Sequence, residues 1–590
     1  MIITDVLFPI ALHRTLSYRL SPTQATLAKP GLFVRAPIGN RTFLGVITAI
    51  CQGEQEVKNE GLKFITSVET HLIPISHKRL ELWKWMSAYY LCSLGEVMRA
   101  SISIAPPVVP SPTPHTPTPS LPTSIAPILP ALASEHLPAL SLVQSYMEEQ
   151  SVVLLRASRQ RTIFYIHLLR QTLLLGKNAL LLIPELGAGE QRYRQIQELF
   201  GHRVFLFHSR LTPAKRRNTL QEIAQQTAPF IVIGSRSSLL FVDFKALGLI
   251  IVDEEQDYSY KQTDPAPRFH ARDVALFMGR LYQTPVILGT SCASLESEYN
   301  VYTGKYHSVT LSSPLSAAKK IEVLDTLKLT KKKQMHGVIS DPLLQTLTYY
   351  LCRKEQVLLF TRRGNLLQEE LQPLLPNARI AYLDESASLQ KLYKQVQQFK
   401  NREIDILIGI HTLHKNLDFG EVGLVAILHA DQQLSRHDFR AHERVYQIFT
   451  ALSASASHLI LQTDQPAHPL YDSLQNNKLQ EFVREQLEER KNFHYPPFVR
   501  LVAVRFKHRT PEAALSAAQN FAYTLPEIGI TSFSGPFTPY HDPAAKYNSQ
   551  ILWIPLERHP KSETIKQALY QKALHCAFPG GVVQIDVDAY

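Results

Sequence analysis

Between about residue 140 and residue 315, six short apolar runs, VVLL, NALLLIPE, RVFLFH, FIVIGS, LGLIIVDEE and PVILGTS, alternate with helical stretches that carry a polar face. Strands this uniformly apolar have no side to give to water. They need helices on both faces, so the alternation predicts a parallel sheet built from crossover units. After a basic connector, LKLTKKKQMHG, the pattern starts again with QVLLFTRR, ARIAYLD, DILIGIH, VGLVAILHAD and HLILQT. The fold class is therefore α/β, with two lobes of one kind in tandem.

The flanks differ in texture. Residues 1–104 open on β-like runs punctuated by Gly31, Gly39 and Gly45 and close on a helical stretch, HKRLELWKWMSAYYLCSLGEVMRA, which reads as a small β-rich domain. Residues 105–139 form a linker. No Asp, Glu, Lys or Arg occurs from Ser101 to Ser134, and ten prolines fall between Pro106 and Pro130. Such a segment cannot bury a core and is expected to be a semi-rigid spacer. Lobe 1 is assigned to 140–318, a basic connector to 319–340 and lobe 2 to 341–470. Residues 471–590 mix helices with the strands VRLVAVRFKH, SQILWIPL and VVQIDVD, an α+β module.

Sixty-two Lys plus Arg against fifty-one Asp plus Glu give a net charge of +11, which favours a polyanionic partner. The five cysteines, Cys51, Cys92, Cys292, Cys352 and Cys576, include no CxxC pair, so neither zinc nor a disulfide framework is expected. No apolar run reaches the roughly 18 residues that span a bilayer. The N-terminal residues also lack the basic start of a secretory signal. The expected setting is the cytoplasm, beside the nucleoid, with no membrane partner.

Two clusters carry candidate chemistry. The run from Ile250 ends in Asp253, Glu254 and Glu255, the pattern of a strand whose first acid holds Mg²⁺ and whose second positions a water. Next come Tyr258, Tyr260, Lys261, Arg268, Phe269, His270 and Arg272, aromatics interleaved with bases as on a surface that stacks nucleobases and meets phosphates. A nucleotide site also needs a glycine-rich loop with a Lys and a Ser or Thr. Here the matching strand exit reads VVLLRASRQRTIFYIHLL, with Arg161 and Thr162 at those positions and Gln160 in place of the adjacent glycine. An arginine supplies charge but no cradle of backbone N–H groups.

The chain resembles the PriA family of bacterial replication-restart helicases. The likeness lies in the acid-ended strand and the loop after it, in DVLFPIALHRTLSYRL and LWKWMSAYYLCSLGEVMRA near the start, and in HYPPFVRL, GPFTPYHDPAAKYNSQILW and IDVD near the end. The resemblance implies two RecA-like helicase lobes, an N-terminal domain that captures a DNA 3′ end at a stalled fork and a C-terminal domain that helps to hold DNA and partners. Two family parts are missing from the sequence, the winged helix and the cysteine-rich zinc insert. The N-terminal pocket has Leu16 and Ser17 where the family has an aromatic and an acid. The arginine-finger motif reads ALSASASH, with Ser455 and His458 in the arginine positions, and a finger typically contributes about 10³ to 10⁵ in rate. A further motif has Asn416 for its glycine but keeps Lys415, Asp418 and Phe419. The third has Cys292 and Ala293 for Thr-Pro, and Gln256 replaces a histidine. By contrast Pro184, Glu185, Gln191, His208, Ser209, Arg210, Ser235, Arg236, Ser237, Asp438, Arg440, Glu443 and Arg444 keep the family pattern.

These residues together imply a replication-restart protein that binds forked DNA and single-strand/duplex junctions and helps to reload the replicative helicase. Expected protein partners are that helicase or its loader and a single-stranded-DNA-binding protein. Arg236, Tyr258, Tyr260, Lys261, Arg268, Phe269 and Arg272 are the expected DNA contacts. Asp253 and Glu254 are the relic of a catalytic site, with Arg161 and Thr162 a degenerate nucleotide loop. ATP and Mg²⁺ serve as cofactors only if that site works. Two other readings stay open: an active ATP-dependent 3′ to 5′ helicase that uses Arg161, and a protein-recruiting adaptor that binds DNA weakly.

Overall fold

The strands of lobe 1 pair in parallel throughout, in the order His307–Thr310, Val152–Arg156, Val286–Thr290, Leu247–Asp253, Asn178–Leu182, Ile231–Gly234 and Val204–Phe207. This computed structural model describes residues 2–52, 61–102, 106–108, 129–157, 161–184, 186–208, 210–311, 320–361, 364–384, 389–409, 419–434, 438–539 and 547–589. Leu247–Asp253 lies mid-sheet, with Leu249, Ile250, Ile251 and Val252 fully buried between helices on both faces. Its uniform apolarity follows from that position, as the sequence predicts.

Lobe 2 is a second all-parallel sheet, ordered Lys320–Asp325, Ala456–Thr463, Val422–Ile427, Val357–Phe360, Ile406–Gly409 and Ile380–Tyr382. Residues 320–340, within the 319–340 stretch expected as a connector, belong to it. They supply the edge strand Lys320–Asp325, the helix Thr326–Lys331 and a small hairpin, Met335–His336 with Ile339–Ser340. The strand is only half buried and alternates charged with apolar residues, so it lacks the uniform apolarity of its neighbours.

The N-terminal domain is a five-stranded antiparallel sheet, Leu16–Arg19, Ile2–Leu7, Arg41–Gln52, Phe33–Ile38 and Ser67–Val68, followed by the helices His77–Tyr90 and Leu94–Ser101. Ser76 caps the first helix and also bonds Asp243 of lobe 1 through Oγ, at 2.7 Å. The linker's first residues are tied down: Pro107 O accepts from Ile73 N at 3.0 Å, and Val108 exchanges two bonds with Gln221. Residues 109–128 lie outside the described residues. The C-terminal domain carries a four-stranded antiparallel sheet, Ser534–Phe537, Asn548–Glu557, Val499–His508 and Val582–Val587, packed on the helix Pro511–Tyr523. Among the described residues no helix is long and apolar enough to cross a membrane.

Candidate functional site

The strand Leu247–Asp253 delivers Asp253, Glu254 and Glu255 at its carboxyl end, where ligands of open parallel sheets bind. All three acids are buried. Arg161, the first residue of the helix Arg161–Leu174, turns inward onto them. Its Nε lies 3.1 Å from Asp253 Oδ1, one terminal nitrogen bonds Glu254 Oε1, and the other donates to Ala157 O at 2.7 Å. Tyr165, one turn along, donates its hydroxyl to Asp253 Oδ1 at 2.8 Å, and Arg192 donates to Oδ2. Glu254 sits at φ 48°, a left-handed conformation uncommon for residues other than glycine. Its Oε2 accepts from Gln256 Nε2 at 2.8 Å and Ser291 Oγ at 3.1 Å.

Every oxygen of the two carboxylates thus has a protein donor, and two negative charges face two guanidiniums. Burial works against ionised Glu254, but Arg161 and then Gln256 outweigh it and hold the carboxyl below its ordinary value. Burial also opposes the charge on Arg161, yet Glu254 raises that guanidinium above its ordinary value. Arg192, half buried and facing Arg161, is lowered, first by desolvation and then by that like charge. This donor set does not fit Mg²⁺ with a nucleotide. The anionic oxygens are already paired, and a divalent cation would meet two fixed cations at about 4 kcal/mol per pair of unit charges 4 Å apart in a partly screened medium. Thr162 is half buried, and among the described residues no hydrogen bond joins it to the acids. Gln160 lies outside the described residues, as do Glu185, Ser209, Lys415, Asn416 and Asp418, and the side chain of Gln191 is not described either.

Glu255 faces the other way. It accepts from Arg272 at 2.8 Å, from Ser294 N at 2.7 Å, and from the hydroxyls of Ser294 and Ser297 at 2.9 Å each. Ser294 caps the helix Leu295–Tyr302, which carries Glu296 into the boundary between the lobes. There Arg440 pairs with Glu296 at 2.7 Å, Arg490 with Glu443 at 2.5 Å and with Glu296 at 3.4 Å, and Glu443 accepts from Leu295 N at 2.9 Å. Burial would raise Glu296, but Arg440 and Arg490 hold it well below the usual carboxylate range. Cys292 packs into the apolar core of lobe 2. Arg440 and Glu443 are therefore internal pairs joining the two lobes, and Arg444 pairs locally with Asp438 at 2.6 Å.

The aromatic and basic loop corrects the sequence expectation. Tyr260 and Phe269 are fully buried, and Lys261 and Arg272 nearly so. Tyr260 donates to Asp253 O at 2.7 Å, and Phe269 meets Tyr90 of the N-terminal domain edge-on. Lys261 Nζ donates to Arg268 O at 2.8 Å and Val587 O at 2.7 Å, and pairs with Asp586 at 2.6 Å. A buried ring has no face to offer a base, and a cation held in a buried pair has no charge to spare for phosphate. Arg268 is half buried against Ile585 O at 3.2 Å and Asp264 at 3.1 Å. Arg236, also half buried, props the loop through Ser259 O at 2.7 Å and Lys261 O at 3.2 Å, and burial lowers its pKa. Tyr258 alone of the expected set keeps a largely open ring, 46% exposed. The loop is a junction of the N-terminal domain, lobe 1 and the C-terminal sheet.

Sequence reading missed Tyr165, Arg192, Glu296 and Arg490. One signal pointed to the first two: acids that lose their metal but stay buried need counter-charge from nearby side chains. In the N-terminal pocket, Ser17 donates to Asp5 at 2.7 Å and Lys63 to Gly39 O at 3.3 Å. Ser455 and His458 lie at a helix end and on a strand, and His458 pairs with Glu322 at 3.4 Å.

Residues 5–103 match the PriA family described as 3′DNA-binding domain, and residues 342–448 match the helicase conserved C-terminal domain. The chain is 26% identical to the replication restart protein PriA of Rickettsia conorii, over 94% of each chain. It is 26% identical to that of Treponema pallidum, over 99% of this chain and 98% of the relative. Over 64% of this chain and 60% of the relative it is 30% identical to that of Chlamydia pneumoniae. Among solved structures, the DUF1998 helicase MrfA bound to DNA is similar at 16% identity over 58% of this chain and 51% of that one, with a TM-score of 0.41. The N-terminal domain match and the relatives that run the length of the chain agree: over nearly its whole length this chain is similar to PriA replication restart proteins.

Proposed function

We propose that this is a replication-restart protein that binds forked DNA and helps to reload the replicative helicase, with the helicase-shaped body acting as a DNA-binding scaffold rather than as an ATP-driven motor. The restart role is supported by the 3′ DNA-binding domain match and by relatives named as replication restart proteins. One observation carries the loss of the motor: the Arg161 guanidinium bridges Asp253 and Glu254, where a divalent cation would have to sit. The replicative helicase or its loader and a single-stranded-DNA-binding protein are the partners that fit this role.

The test is a fork-DNA titration at several salt concentrations beside calorimetry with ATP and Mg²⁺ on one preparation. Fork binding that weakens steeply with salt, with little heat from nucleotide, is the expected pair of results. Tight nucleotide binding would favour an active 3′ to 5′ helicase. Capture of the replicative helicase without fork binding would favour an adaptor.

A further inference from the structure

We infer that Lys328, Lys331, Lys332 and Lys333 of lobe 2 form a contact for a nucleic-acid phosphate backbone, separate from the N-terminal domain and from the aromatic loop. The inference rests on the reading of the chain as a DNA-binding protein and assigns part of the contact to a new place.

All four lysines are exposed, and among the described residues none of them makes an ion pair. Residues 326–336 contain no Asp or Glu. Lys328, Lys331 and Lys332 stand at i, i+3 and i+4, so they share one face of the helix Thr326–Lys331 and its C-cap. Lys333 follows at φ 57°, in the left-handed turn that ends the helix, where glycine is the common residue. The backbone beneath them is held in place. Asp325 caps the helix through Lys328 N at 2.8 Å, Thr326 bonds Asp464, and Gln334 N returns to Leu329 O at 3.0 Å.

A charged run on a helix is often a solvated face, and cations near a helix C-terminus gain about 0.3 to 1 kcal/mol from the helix dipole. That accounts for one or two lysines. Four within six residues repel one another, since each like-charged neighbour pair costs a few tenths of a kcal/mol. A cluster of cations on a fixed backbone, with no ion-pair partner among the described residues, fits an anion from outside.

The place and spacing fit as well. The helix leaves the carboxyl end of the strand Lys320–Asp325, the edge of a parallel sheet at which ligands gather. Three to four residues of helix advance about 4.5 to 6 Å, and one DNA strand carries a phosphate about every 3.4 Å along the duplex axis. The set can therefore meet two neighbouring phosphates of one strand, with no sequence preference.

The test compares fork-DNA affinity across salt concentrations for the unaltered protein and for a variant with all four lysines changed to Gln. The slope of log affinity against log salt should flatten by about 1.4 to 1.8 in the variant, the release expected for two phosphates. The same four positions changed to Arg should keep the slope. A charge-matched control, Lys29→Gln, Lys177→Gln, Lys305→Gln and Lys561→Gln at four exposed lysines elsewhere, should lose less than half as much. Equal loss in the control, or an unchanged slope in a folded variant that still binds DNA, overturns the contact. Failure of the unaltered protein to bind fork DNA at any salt overturns the DNA-binding reading itself, and this contact with it.

Discussion

Arg490, in the helix Leu479–Asn492, reaches Glu443 of lobe 2 at 2.5 Å and Glu296 of lobe 1 at 3.4 Å, so one buried side chain ties three units together. Removing one partner of such a network leaves uncompensated buried charge, at a cost of about 3 to 5 kcal/mol. Arg490→Met should lower the thermal midpoint of the lobes by about 6 °C or more, given roughly 2 to 4 °C per kcal/mol for units of this size. Glu481→Ala breaks only an exposed pair with Lys478 and should leave the midpoint nearly unchanged. Equal shifts in the two variants would show that the network adds nothing to the lobe interface.

Tyr260 and Phe269 give a second test. A fully buried aromatic truncated to alanine costs about 3 to 5 kcal/mol, so Tyr260→Ala and Phe269→Ala should chiefly lower stability. Tyr258→Ala, at an open position, should leave the melting curve in place. A Tyr260→Ala protein with unchanged melting and weakened single-strand binding would restore the base-stacking role that burial argues against.

The pH profile follows from three groups. Glu254 and Glu296 have folded values below the ordinary glutamate value of about 4.3, set by Arg161 and by Arg440 with Arg490 against the effect of burial. Their contribution is fully present above that value and is lost as pH falls through the lower folded values. His270 is held well below its ordinary value, first by burial and then by Arg272. Below about pH 6.5 the unfolded chain therefore takes up a proton that the folded chain refuses, and stability declines. Thermal midpoints measured from pH 8 downward should fall gently below about pH 6.5 and steeply below about pH 4.3. A midpoint constant down to pH 4 would contradict these assignments.

Elemental analysis of purified protein should find less than about 0.1 zinc ion per chain, since a structural zinc site takes four clustered thiolate or imidazole ligands. Among the described residues no group of three or more His, Cys, Asp or Glu is arranged to hold a metal. One or two bound zinc ions per chain would refute this.

The paired lobes were legible because strands buried on both faces of a parallel sheet are uniformly apolar, and the runs around Ile250 and Val425 are short, apolar and repeated between helical stretches. The strand Lys320–Asp325 was not, since an edge strand with half-buried side chains needs no such pattern. At the site, the replaced glycines and lysine were readable, but the inward turn of Arg161 is a tertiary fact. The aromatic loop misled for a related reason. Tyr and Arg serve equally at a DNA surface and at a domain junction, and the groups that bury Phe269 and Lys261 lie far away in sequence, at Tyr90 and Asp586.

Arg161 bridges Asp253 and Glu254 where a divalent cation would have to sit, and its charge takes the place of the cation's. The most direct test of this is the rate of phosphate release from ATP with Mg²⁺ on forked DNA, for the unaltered protein and for Asp253→Asn. Release is expected near the protein-free background, unaffected by DNA and the same in both proteins. Fast, DNA-stimulated release that disappears in Asp253→Asn would contradict it.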